Sequence, residues 1–486
     1  MPFAYLLSFC LLAPIAAPAD EPGLATYAEQ SEGRLAMGLY MFGIKVGWLI
    51  SDDRLEERDG EQVFVMRSEM VMRFEFDGEV DESRNVSETV YSLEGDGDLL
   101  SYREDDSSEG SLTRILAELD GDELVIVKQF AERVDERSVP RSADTLRSQQ
   151  RMDAWLEGER EPGDEFESVT ASFDEEDVDQ AQRLTWIGKE TVSWAGVPTA
   201  IIRVRALIPG MPIPADVEML ENGTMARLEI GGVVECRLED EAVARRLDVS
   251  VDMMQATAVP TDVELGDPEQ VDELVLRIDG LDDYAVPQAA RQQVEVVDGE
   301  TLVRLGRHDL DDRVALPDDE RSSALEATTR YNVDDAVVTV LVEALMEQAD
   351  GLDEQVRLLA DWVSETLDDS YARNAETAVQ ILENGAGDCT EHACLFVTMA
   401  RAAGIPAREV GGIVYGGDQQ FAWHAWAEVH DGERWISVDP GWNQVPVDPT
   451  HVKLSTGDDV GWVALLGRIE VSVREHSQLG EGASQR

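Results

Sequence analysis

The stretch GAGDCTEHACLFVTMARAAGIP, residues 385–406, sets a thiol where a chain turn passes into a helix. Asp388 is an N-cap type of residue and Glu391 follows it at capping-box spacing, so the helix is predicted to begin at Cys389. Gly404 and Pro406 supply the stop signal at the far end. A thiol in this position faces the positive end of the helix dipole and free backbone N–H groups, which favour thiolate. The same N–H groups could stabilise the oxyanion of a tetrahedral intermediate. Cys389 is therefore a candidate nucleophile.

A nucleophilic cysteine needs a base, and the base a group to orient it. Downstream, FAWHAWAEVHDGERWISVDP alternates Phe421, Trp423, Ala425 and Val429 with His424, Trp426, Glu428 and His430, the pattern of a strand with two unlike faces. Asp431-Gly432 is a hairpin signal, and a two-residue loop there pairs His430 with Glu433. Continuing that register sets His424 opposite Asp439 on one face, with Cβ atoms about 5 Å apart. Trp426 shares this face, where it either lines the site or belongs to the core.

GDCTEHACLFVTMARAAGIPAREVGGIVY, FAWHAWAEV, WISVDP and HVKL together resemble the bacterial transglutaminase-like proteins of the papain-like superfamily, over roughly residues 327–454. The resemblance implies Cys389 as nucleophile, His424 as general base and Asp439 as the residue orienting it. It also implies an α+β fold in which the cysteine helix packs on an antiparallel sheet carrying the other two. Asp388, Glu391 and Trp426 are supporting residues in this reading.

The rivals are weaker. His392 lies one turn after Cys389 on the helix flank, without an obvious carboxylate partner. His308, His430, His451 and His476 are scattered, and none has metal-ligand spacing. A zinc site from Cys389, His392 and Cys394 lacks paired-ligand spacing. Cys236 and Cys394 read as small buried residues. No metal or other cofactor is expected, and no loop carries the calcium dependence of animal transglutaminases.

Around this site the chain divides by texture. An apolar run ending in Ala17-Pro18-Ala19 reads as a signal peptide, residues 1–19, although basic residues before it are missing. Residues 28–246 read as a large antiparallel β-rich domain with a helical patch near Ala143 to Leu156, and 247–313 as a small β-rich module or linker. Helical periods begin after LPDDERSS, with one helix over Val333 to Gln348 and the next carrying Val356, Leu359, Ala360, Val363 and Leu367 as one stripe. The transglutaminase-like domain is set at 320–475 and a flexible tail at 476–486.

Composition narrows the function. The 101 acidic against 40 basic residues give a formal net charge of −61, which repels nucleic acid. Lysine occurs only at positions 45, 128, 189 and 453, a bias that fits either salt adaptation or a GC-rich genome. No segment after the signal is long and apolar enough to span a bilayer, so the expected product is exported, periplasmic or extracellular, without stable membrane insertion. The expected activity is acyl transfer or hydrolysis on a peptide or glutamine-type amide, with a protein or peptide substrate of the cell envelope. The alternatives are a catalytically silent envelope scaffold and a chain whose β-rich region is the functional part.

Overall fold

The computed structural model describes residues 22–479 apart from 77, 109–110, 131–132, 174–176, 195–196, 208–212, 249, 251, 283, 309–315, 371–374, 376, 458–461 and 463–464. The expected signal segment lies outside the described residues, as does most of the expected tail. The chain forms two compact units that divide between Asp252 and Met253.

The first unit is built on one antiparallel sheet of fourteen strands. The chain enters at its middle with Gly33–Met41, walks strand by strand to one edge at Arg133–Pro140, and crosses through the helix Leu146–Glu157. It resumes at the opposite edge, Glu165–Ala171, and walks back until Val234–Leu238 pairs with the first strand. Local chemistry sets the reversals. At Asp59-Gly60 both residues hold positive φ, +54° and +86°, as a two-residue hairpin loop requires, so Arg58 pairs with Glu61. On the more exposed side, Arg67 bonds to Glu56 and Glu88 from the flanking strands, one cation neutralising two carboxylates across the pleat.

The second unit holds the candidate site. The helices around the site are α1 (Ala336–Met346), α2 (Leu352–Thr366), α3 (Ala378–Asn384) and α4 (Cys389–Ala402). Of the stripe read from the sequence, Val356, Leu359, Ala360 and Val363 form the buried face of α2, and Leu367, also buried, is its extended C-cap rather than a helical residue. α4 is buried at every residue from Glu391 to Arg401, as expected of a central helix with few polar positions. Strands β1 (Ala407–Gly417), β2 (Gln420–His430), β3 (Trp435–Val438) and β4 (Val452–Thr456) form an antiparallel sheet ordered β3-β2-β1-β4 over these elements. Leu395, Phe396 and Met399 of α4 share a core with Ala407, Ala427, Val429 and Val438 of the sheet. The fold is therefore α+β, with the cysteine helix packed on the antiparallel sheet that carries His424.

Residues 247–313, read as a module or linker, are divided between the units. Within the second unit, Val271–Asp279, Gln292–Val297 and Glu300–Gly306 form a four-stranded sheet with Glu470–Gln478. The first three residues of the expected tail, 476–478, thus belong to a strand. This sheet shares a second core with Ile413, Tyr415, Phe421, Val452 and Leu454, so β1 and β2 contribute to two cores.

Candidate active site

Cys389 is the first residue of α4, and the capping box is complete. Asp388 Oδ1 accepts from Thr390 N at 2.7 Å, and Glu391 Oε2 accepts from Asp388 N at 2.9 Å. Gly387 is required beside it, because a Cβ there would lie 2.3 Å from the Glu391 Cβ. Cys389 remains partly accessible, and the N–H of Ala425, one residue after His424, faces its sulfur. Helix start and histidine strand therefore meet at the thiol.

The electrostatics differ from the thiolate expected at a helix start. Burial pushes the Cys389 thiol well above its ordinary range, Asp388, Asp439 and Glu391 add to the rise, and the Ala425 N–H acts the other way. Glu391 is itself raised, by burial and then by the Asp388 charge. Burial first, and then the neighbouring acidic groups, outweigh the dipole argument drawn from the sequence. The thiol is held as S–H, so a nucleophilic role would require a neighbouring base to take its proton.

The candidate base is positioned on β2. His424 Nε2 lies 2.8 Å from Asp439 Oδ2, with both side chains nearly buried. The ring nitrogen spent on the carboxylate donates, which leaves Nδ1 as the free acceptor. Asp439 follows β3 and is fixed by its own turn: Gly441 N and Trp442 N donate to Oδ1 at 2.9 and 3.1 Å. Burial would raise this carboxyl, but hydrogen bonds from His424 and His451 hold it well below the usual carboxylate range.

The hairpin register expected from the sequence is corrected. His430 pairs with Trp435, not Glu433, so the loop has four residues. Asp431 Oδ1 turns back to accept from Glu433 N and Arg434 N at 2.8 and 2.9 Å, a side-chain turn that competes with the two-residue loop. The register moves by two, which preserves the face of every side chain. Asp439 consequently reaches His424 from a diagonal position instead of from directly opposite.

Two residues at the site were not singled out from the sequence. Trp442 stacks on the His424 ring, with centroids 4.7 Å apart and planes 23° from parallel. His451 brings Nε2 to 3.3 Å from the Asp439 oxygen already bonded to His424. The available signals were the GWN that follows Asp439-Pro440 and the histidine of HVKL. Trp426, held open between lining and core, is buried at 1 % exposure against Val410 and Val447, with its ring 6.1 Å from His424. It supports the site from beneath while Trp442 covers the imidazole.

The rivals fall elsewhere. His392 is buried, and its Nδ1 sits 2.8 Å from the Asp388 carbonyl in its own helix. Cys394 is fully buried, its thiol pushed up by burial to about 12, with its sulfur 3.9 Å from the Arg330 carbonyl. Cys389, His392 and Cys394 therefore do not converge as metal ligands. His424, Asp439 and His451 place donor atoms within 4.8 Å of one another. Both imidazoles share one carboxylate oxygen, the arrangement of hydrogen-bonded positioning rather than of ligands opened toward an ion.

With this geometry in view, residues 340–440 match the family model of the Transglutaminase-like superfamily, so the second unit carries a transglutaminase-like domain. No curated protein is significantly similar to the chain. Among solved structures, a candidate cysteine protease from Cytophaga hutchinsonii is 18% identical, over 43% of this chain and 87% of its own, with a TM-score of 0.28. A candidate protease from Parabacteroides distasonis is 10% identical, over 78% of this chain and 71% of its own, with a TM-score of 0.19. Superpositions at those scores carry no argument about function.

Proposed function

We propose that the chain is an exported cysteine enzyme that cleaves or transfers the acyl group of a peptide or glutamine-type amide through Cys389, His424 and Asp439. The observation that carries this reading is the buried His424 Nε2 to Asp439 Oδ2 bond of 2.8 Å, on the strand whose Ala425 N–H faces the Cys389 thiol at the helix start. In the proposed reaction His424 Nδ1 takes the thiol proton as the sulfur attacks the carbonyl carbon. It returns that proton to the departing nitrogen, the C–N bond breaks, and a thioester forms. Water or a second amine then attacks the thioester, gives its proton to His424 and frees the thiol.

The substrate is proposed to be a protein or peptide of the cell envelope, and the setting periplasmic or extracellular. No cofactor has a role in this scheme. A glutamine-containing peptide offered with and without a fluorescent primary amine separates hydrolysis, read as ammonia, from crosslinking, read as incorporated label. An internally quenched peptide reads protease action. Cys389→Ala should abolish whichever activity is found, and a Cys389→Ala protein that keeps it would sink the proposal.

A second reading, a catalytically silent scaffold, is favoured by one observation: the thiol is held up by burial and three carboxylates. Peptide-resolved iodoacetamide labelling discriminates the two. Labelling of Cys389 at neutral pH that His424→Gln abolishes supports the base-assisted nucleophile. Labelling that begins only above the ordinary thiol pKa of about 8.5, indifferent to His424, supports the scaffold.

A further inference from the structure

His451 lies between two carboxylates. Its Nε2 is 3.3 Å from Asp439 Oδ2, and its Nδ1 is 3.4 Å from Asp448 Oδ1. The side chain is 1 % exposed, and the rings of His424, Trp426 and Trp442 surround it with centroids 5.3 to 5.9 Å away. Asp448 is fixed in turn: Thr450 donates its N–H and its Oγ1–H to Asp448 Oδ1 at 2.8 and 2.6 Å. Asp448, His451, Asp439 and His424 thus form a series of alternating carboxylates and imidazoles, hydrogen-bonded from His451 onward and in ion-pair contact at Asp448, that ends at the candidate base. We propose that His451 is a positioning residue of this site, a buried cation held between Asp448 and Asp439 that keeps Asp439 ionised and offsets its charge at His424.

The charge argument decides between a cation and a neutral ring. A neutral imidazole has one N–H and could donate to only one of the two carboxylates. Two ionised, nearly buried carboxylates on opposite sides favour both ring nitrogens as donors. Burial alone would lower His451, but the hydrogen bond to Asp439 and the close carboxylates of Asp448 and Asp439 raise it to about 9. The remaining charged groups near it, Arg291, Glu428 and Lys453, border a cavity of about 30 Å³ together with His451, Asp448 and Trp426. Lys453 Nζ is taken by Glu428, at 2.7 and 2.9 Å. Arg291 Nη2, Trp426 Nε1, His451 Nδ1 and Asp448 Oδ2 are buried without a hydrogen-bond partner among the described residues. The cavity they border is polar and large enough for a bridging water, which would accept from two of the nitrogens and donate to Asp448.

The functional consequence concerns His424. An imidazole facing a lone buried carboxylate is stabilised as imidazolium and is then unable to accept the thiol proton. A second cation on the same oxygen, with ring centroids 5.9 Å apart, opposes that stabilisation. This inference rests on the reading of His424 and Asp439 as base and orienter.

The test is a titration of the histidines of the full chain by NMR, with 13C at Cε1 and assignment by substitution. In the native protein the His451 ring should keep both protons to about pH 9. A singly protonated His451 at pH 7 overturns the proposal. In His451→Gln, which keeps a donor toward Asp439 but removes the charge, the His424 midpoint should rise by about one unit or more. An unchanged midpoint in a folded variant also overturns it. Should the variant not fold, the native titration decides alone. Retention of activity by Cys389→Ala would sink the triad and leave these titrations as they stand, so the two failures are distinguishable.

Discussion

Lys453→Met should destabilise the second unit by about 3 to 5 kcal/mol, the usual cost of removing one partner of a buried ion pair. The Lys453 side chain is 6 % exposed and its ammonium contacts both oxygens of Glu428, which is 1 % exposed. Arg408, directly across the sheet from Glu428, supplies the only other charged contact to it among the described residues, at 2.8 and 2.9 Å. Removal of Lys453 leaves a buried carboxylate with one cation where it had two, facing a new apolar chain. Glu428→Met with Lys453→Met should recover most of the loss, because an apolar pair of similar volume needs no desolvation of charge. Arg408 tolerates that change, since it is 22 % exposed and lies over the Trp435 ring at 3.8 Å. The assay is urea unfolding, read by hydrogen exchange in peptides covering 407–430, so that the first unit does not contribute. In a unit of this size the single substitution corresponds to a fall in Tm of about 10 °C. A loss below about 1 kcal/mol, or a double variant no better than the single, would refute the claim that the Lys453 ammonium balances a buried charge.

The remaining expectations concern pH, a close contact and the second thiol. Asp439 and Asp448 are held below their unfolded values, so the stability they contribute is present above about pH 4 and lost as pH falls through their folded values. His451 has the opposite sign: its contribution, about 3 kcal/mol, is complete below about pH 6.5 and lost as pH rises toward about 9, and urea midpoints across pH 3 to 10 check both limbs. Gly412→Ala should disrupt β1 and β4 and lower the melting temperature sharply, because its Cβ would lie 2.1 Å from the Val452 carbonyl oxygen and 2.8 Å from Trp426. Cys394 should resist iodoacetamide until the unit unfolds, and Cys394→Ala should leave the pH dependence of Cys389 labelling unchanged, both read by mass spectrometry of the peptides.

The parts of this molecule that were legible in its sequence are those where local chemistry had no competitor. The capping box at Asp388 and Glu391 appears as written, and so does the α2 stripe, because each is fixed by neighbours along the chain. Three hairpins show where this stops. Asp59-Gly60 and Asp298-Gly299 both adopt positive φ and close two-residue loops, pairing Arg58 with Glu61 and Val297 with Glu300. The same dipeptide at Asp431-Gly432 closes a four-residue loop, because the Asp431 carboxylate captures two downstream N–H groups. A reading from the dipeptide alone cannot tell the cases apart. Asp439 was nevertheless placed with His424, since the error was two residues and strand faces repeat every two. An error of one would have turned Asp439 away. The thiol's electrostatics escaped for a different reason: the dipole and the Asp388 charge are local to the helix start, whereas the burial, the largest cause, comes from elements packed over it, and the Asp439 charge from fifty residues away. His451 was lost in the same way. It lies twelve residues after Asp439 with no spacing rule to connect them, and only the turn from Asp439 to β4 brings its ring back to the carboxylate that His424 already holds.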